Sequence, residues 1–150
     1  MTTRTLRFYA LVGFLVFLDQ VTKYLAHAYL ARDFIVIPNL FRLTLAKNSG
    51  AAFSFGTGFS WLFFLLGIIA LIFIGWFLPR TTGSIVFLAL LQGGIAGNVF
   101  DRLFKPPYFG NGEVVDFLNT PLLSGVVFNI ADLFILAGVF GTFLFLKGSK

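Results

Sequence analysis

The chain has 150 residues, 58% of them hydrophobic and 11% charged, with a formal net charge of +5 and a mean hydropathy of +0.93. A soluble domain carries about 25% charged residues, so these side chains cannot cover a water-exposed surface, and the chain reads as one integral membrane domain. The lack of cysteine excludes disulfides, thiolate metal sites and a cysteine nucleophile. The single histidine, His27, excludes paired-histidine metal motifs and leaves serine catalysis without a partner unless His27 itself serves.

Met1 to Arg7 is short and basic, and an apolar run follows from Phe8 to Leu18. Ala26-His27-Ala28 would suit a signal-peptide cleavage site, but Asp19, Gln20 and Lys23 precede it, where such a peptide places no charges. A retained first span over residues 6–29 is the better reading, with His27 at the interface. The stretch 31–55 is more polar. Phe41-Arg42-Leu43-Thr44-Leu45 alternates with the period of a half-buried strand. Turn signals flank it at Pro38-Asn39 and Asn48-Ser49-Gly50. A small strand-rich platform outside the membrane fits this stretch.

Residues 59–78 carry no charge and are long enough to cross a bilayer core. Pro79 to Gly83 reads as a polar turn, and residues 84–102 as the third span, where Gly94-x-x-Gly97 permits close helix approach. Lys105-Pro106-Pro107 ends that helix. The loop 105–121, with Gly110-Asn111-Gly112, is expected to be a mobile gate beside Asp116. The last span covers 124–146, with Asp132 about 12 Å along it from Ser124 at the usual helical rise.

Four spans put both termini on one side. Arg4, Arg7, Arg80, Lys147 and Lys150 gather there in short segments beside span ends, so by charge density that side is cytoplasmic. Asp19 and Lys23, Asn98, Asp101 and Arg102, and Asn129 and Asp132 then converge near the opposite boundary, with Asp116 in the loop above. Asp19 with Lys23, and Asp101 with Arg102, read as structural ion pairs or helix-end anchors. Asn98 and Asn129 read equally as interhelical hydrogen-bonding groups or as substrate contacts. Asp116 and Asp132 have no base beside them in the sequence. A carboxylate in a membrane span is costly and is functional by default, and two together can share a proton and activate water. The pair therefore points to an aspartyl peptidase. The alternative is a small transporter or channel subunit with a carboxylate proton relay.

Five blocks in order carry a resemblance. They are Asp19-Gln20-x-x-Lys23, Asn48-Ser49-Gly50-Ala51-Ala52-Phe53, Gly93-Gly94-x-x-Gly97-Asn98-x-x-Asp101-Arg102, Val114-Val115-Asp116-Phe117 and Phe128-Asn129-x-Ala131-Asp132. The chain resembles bacterial lipoprotein signal peptidases, the signal peptidase II family, over nearly its whole length. The resemblance implies an all-α membrane fold of four transmembrane helices, with a small extracytoplasmic β-cradle and a short helix in an external loop. It implies a multi-pass protein of the bacterial inner membrane, cleaving diacylglyceryl-modified prolipoproteins just before the lipidated cysteine. Asp116 and Asp132 would be the catalytic pair. Asp19, Lys23, Asn48, Gly50, Asn98, Asp101, Arg102 and Asn129 would shape or support the site. Membrane lipid and the cyclic peptide globomycin are the further partners implied, while no metal, other cofactor or nucleic acid is expected.

Overall fold

The computed structural model describes residues 2–50, 56–77, 84–123 and 125–148. Four helices, α1 (Thr3–Tyr29), α2 (Ser60–Phe77), α3 (Ile85–Phe104) and α4 (Ile130–Gly148), carry a small sheet at one end. Its strands are β1 (Phe34–Ile37), β2 (Phe41–Asn48), β3 (Val114–Thr120) and β4 (Val126–Phe128), ordered β1-β2-β3-β4 and antiparallel throughout. Of the helices, α1 and α3 are long and apolar enough to cross a membrane, and α2 and α4 contain shorter apolar stretches.

The helices are turned inside out relative to a soluble bundle. α2 exposes Leu65, Leu66, Ile69, Phe73 and Trp76, and α4 exposes Leu136, Phe140, Phe143 and Leu144. α1 buries a single stripe, Phe8, Val12, Leu15, Asp19, Lys23 and Ala26, spaced three or four residues apart as one helix face requires. The lower part of that stripe joins Ile74 and Ala89 in an apolar core. Its upper part is charged, and it leads to the site.

α3 packs against each of the other three helices, and its glycines set the spacing. A side chain at Gly93 would strike Leu15 of α1, one at Gly94 would strike Ala131 and Ile135 of α4, and one at Gly97 would meet Asp19. The close approach expected from Gly94-x-x-Gly97 is therefore present, and it serves two neighbours at once. Gly138 against Leu91 and Gly141 against Phe87 continue the antiparallel descent of α4 along α3.

Two sequence expectations need correction. The fold is mostly helical but not all-α, because half of the expected loop 105–121 is β3, the strand paired on both sides. The run Val114-Val115-Asp116-Phe117 is β-branched and aromatic, the composition that suits a pleated, packed surface, and all four residues are buried. The preceding segment is tied down as well. Gly110 N and Gly112 N both donate to Arg102 O at 2.9 Å, and Ser60 Oγ donates to Gly112 O at 2.6 Å. The short external helix appears as a 3-10 turn at Pro121–Leu123.

The second correction concerns the last span. α4 begins at Ile130, not at 124, because Gly125 takes a positive φ of 76° and Val126–Phe128 pair with β3 instead. Asp132 consequently lies in the first turn of α4 rather than deep within a span. Ser124, the turn 79–83 and Ala51-Ala52-Phe53 lie outside the described residues.

One irregularity in the sheet positions the site. Leu43 faces Leu118, but Ala46 faces Asp116, so β2 holds one more residue than β3 between those pairs. Side chains alternate along a strand, and an extra residue inverts the face presented beyond it. As a result Asn48, rather than Lys47, shares the face of Asp116, and Lys47 points into solvent.

Candidate active site

β3 brings Asp116, and the start of α4 brings Asn129 and Asp132. These two ends meet because β4 turns back on β3 immediately before α4 begins. Asn129 Nδ2 donates to Asp116 Oδ1 at 2.6 Å, while Asn129 N donates to Asp132 Oδ2 at 3.0 Å. One residue therefore holds both carboxylates. Asn48 Nδ2 donates to Asp116 Oδ2 at 3.0 Å, and Asn48 Oδ1 accepts from Gly50 N at 2.8 Å, which orients its amide. Asn98 Nδ2 donates to Asp132 Oδ1 at 2.9 Å. Asn98 and Asn129 thus hydrogen-bond between elements, as one of the two sequence readings has it, and both donate to the carboxylates.

Asp116, Asp132, Asn48, Gly50, Asn98, Arg102 and Asn129 line one cavity of about 630 Å³. The rest of its wall is apolar, drawn from Phe63 and Gly67 of α2, Ile95 and Val99 of α3, β4, and Leu133 to Val139 of α4. A cavity with apolar walls and two carboxylates at its polar end can accept an apolar chain while presenting a polar group to the acids.

Asp19, Lys23 and Asp101 lie directly behind this cavity and not in its wall. Lys23 Nζ bridges Asp19 Oδ2 at 2.8 Å and Asp101 Oδ2 at 3.0 Å, all three residues being fully buried. The ion pair expected between Asp101 and Arg102 is absent. Adjacent residues on a helix point in different directions, whereas residues four apart face each other. Accordingly Asp101 pairs with Lys105 at 2.7 Å. Arg102 instead donates to Gly50 O at 2.6 Å and Asn98 O at 3.2 Å. Gln20 completes the cluster through its Nε2, near Asp19, Asp101 and Gly97 O. Lys105 was missed as a site residue in the sequence, although its acid-first i,i+4 spacing from Asp101 was available as a signal. Asp101 also accepts Val115 N at 3.2 Å, which fastens β3 to the end of α3.

The two carboxylates sit in different surroundings. Burial, reinforced by the charge of Asp132, pushes the Asp116 carboxyl up to about 6 against the opposing bonds from Asn48 and Asn129. Asp132 stands in the first turn of α4, where its Oδ2 accepts Asn129 N and its Oδ1 accepts Asn98 Nδ2.

A mostly helical membrane enzyme with a small antiparallel sheet is the class that this fold and site define. Residues 11–147 match the family described as Signal peptidase (SPase) II, and the chain belongs to that family. It is 99% identical over 150 residues to a lipoprotein signal peptidase of Tropheryma whipplei (strain TW08/27), covering the whole of both chains. It is 44% identical over 142 residues to one of Leifsonia xyli subsp. xyli (strain CTCB07), covering 91% of this chain and 65% of that one. Two solved structures, each described as a bacterial membrane enzyme obtained by the in meso method, are similar at 32% identity. Their TM-scores are 0.81 and 0.78, with 95% and 93% of this chain and 88% and 92% of theirs covered. The family favours a peptidase over the transporter or channel alternative.

Proposed function

We propose that the chain is an aspartyl endopeptidase that removes the signal peptide from diacylglyceryl-modified prolipoproteins, cutting just before the lipid-bearing cysteine. The observation that carries this reading is the pair Asp116 and Asp132, joined through Asn129 at the polar end of an apolar cavity. Asp132, at the helix start, takes a proton from water as the water oxygen bonds to the scissile carbonyl carbon. Asp116, its proton held by burial, gives that proton to the developing oxyanion. When the tetrahedral carbon collapses, its C–N bond breaks and the proton on Asp132 passes to the leaving nitrogen. Asp116 recovers a proton from one of the two hydroxyls, leaving a carboxylic acid and an amine. Asn48, Gly50, Asn98, Arg102 and Asn129 hold the groups around the pair, and Asp19, Lys23 and Asp101 support them from behind.

In this reading the four helices all span the inner membrane as a single domain, with both termini cytoplasmic and the sheet outside. That placement gives the acids water while the acyl chains of the substrate remain in lipid, and globomycin would occupy the same cavity. The relatives named as lipoprotein signal peptidases support the substrate class. The test is cleavage of a lipidated peptide and its unlipidated twin by the purified protein. Cleavage of the lipidated peptide alone is expected, and equal cleavage of both would remove the lipid requirement.

A further inference from the structure

Lys23 takes no part in the hydrolysis described above, yet all of its hydrogen-bonding capacity is spent within reach of the two aspartates. Its side chain is fully buried. Besides Asp19 and Asp101, Nζ donates to Asn98 Oδ1 at 2.9 Å. An ammonium has three donors and no acceptor, and here three acceptors meet it. The atom of Asn98 turned toward Lys23 must therefore be the oxygen. The amide nitrogen is then turned the other way, where it donates to Asp132 Oδ1.

An asparagine amide has nearly the same shape in either orientation, so shape alone cannot choose between them. In the reverse orientation the Asn98 oxygen would confront Asp132 Oδ1, and only a protonated carboxyl could bond to it. Asn129 Nδ2 adds a longer bond of 3.2 Å to the same Asn98 oxygen. The bond from Lys23 is shorter and charged, the stronger kind.

We infer that Lys23 is a positioning residue of the peptidase: by fixing the amide of Asn98, it keeps Asp132 Oδ1 a hydrogen-bond acceptor and so holds this carboxylate ready to act as the base. The inference rests on the catalytic reading of Asp116 and Asp132. The charged groups around the pair, among the described residues, are Asp19 and Lys23 from α1 and Asp101, Arg102 and Lys105 from α3. α2 and β2 contribute the neutral Phe63 and Asn48. In the cluster behind the cavity two acids meet two ammonium groups. The cluster reaches Asp132 through the amide of Asn98.

The test compares the parent with the double variant Asp19→Asn/Lys23→Met, which removes one acid and one base and so leaves the buried charge balanced. Turnover of a lipopeptide at saturation is followed against pH in detergent. Loss of the Asn98 lock frees the amide oxygen to face Asp132 Oδ1, so the acid limb of kcat is expected to move up by about one pH unit with KM little changed. An acid limb that coincides with that of the parent overturns the inference. A purely structural role for Lys23 would lower the amount of active protein without moving the limb. If the double variant does not fold, the decision falls to the unsubstituted protein labelled with 15N-asparagine. There the Asn98 side-chain NH2 resonance is expected to follow the titration of the aspartates, and a resonance that stays still across it overturns the inference. Failure of the catalytic reading is seen separately, as cleavage that survives Asp116→Asn or Asp132→Asn.

Discussion

Asn129 and Asp132 cap each other: Asn129 N donates to Asp132 Oδ2 at 3.0 Å, and Asp132 N returns a bond to Asn129 Oδ1 at 3.1 Å. This is the geometry of a capping box, in which the residue before a helix and the residue three further on satisfy each other's backbone N–H. Here the box also holds a carboxylate of the site. Asn129 then has two separable duties, since its Nδ2 reaches Asp116 as well. Asn129→Ala should cost about 1 kcal/mol of stability through the lost cap, together with most of the turnover. Asn129→Ser should restore the cap and the melting temperature but not the turnover, because a serine hydroxyl is too short to replace the bond to Asp116. Melting curves and a lipopeptide assay on both variants check this. Recovery of turnover in the serine variant would contradict it.

The pH dependence of stability should carry the mark of Asp116. Its carboxyl rises from 3.8 to about 6 on folding, mainly through burial and next through Asp132. The folded protein therefore binds that proton more tightly than the unfolded chain does. The stabilisation is complete below about pH 4 and is lost as pH rises through about 6. A shift of this size corresponds to about 3 kcal/mol. The melting temperature should fall across that window in the parent and stay flatter in Asp116→Asn, which should be the more stable of the two at pH 7. Parallel curves for the two proteins would contradict the environment assigned to Asp116.

The charged stripe of α1 depends on Gly97. A Cβ there would come within 2.5 Å of Asp19 Oδ2 in α1 and 3.4 Å of Ala131 Cβ in α4. Asp19 in turn accepts Ala131 N at 3.2 Å. Gly97→Ala should destabilise by about 1–3 kcal/mol, the usual penalty of overpacking, whereas Gly13→Ala, which meets nothing within 4 Å, should not. Thermal melts of both variants decide the point.

Most of the site was legible from the sequence because polar residues in an apolar chain are conspicuous. Asp19, Asn98, Asp101, Asn129 and Asp132 stand out against the spans, and helical spacing alone put Lys23 on the face of Asp19. Two things were hidden. The glycine-rich, proline-broken run around Asp116 looked like loop throughout, but from Val114 it is a strand whose first residues pair with β2 and whose last residues pair with β4. The partner of Asp101 was assigned to its nearest neighbour in sequence, when helix geometry favours the residue four along. The extra residue between Leu43 and Ala46 has no sequence signature at all, yet it decides that an amide and not an ammonium faces Asp116.

The proposed topology makes a separate prediction. Asn39, exposed in the turn between β1 and β2, should be outside, and Thr5, near the start of α1, should be inside. Single cysteines can be placed at either position without interference, since the chain has none. In intact cells an impermeant thiol reagent should label Asn39→Cys and spare Thr5→Cys. The opposite pattern would reverse the orientation.

The central claim is that Asp116 and Asp132 together carry the hydrolysis, and the most direct measurement of it is turnover of a lipidated substrate by Asp116→Asn and by Asp132→Asn. An amide nearly matches a carboxyl in size but cannot take or pass a proton. Loss of general acid–base help costs about 10²–10⁴ in rate. Each variant should therefore fall by at least that factor while still folding and still binding substrate. Near-parental turnover in either variant would contradict the account.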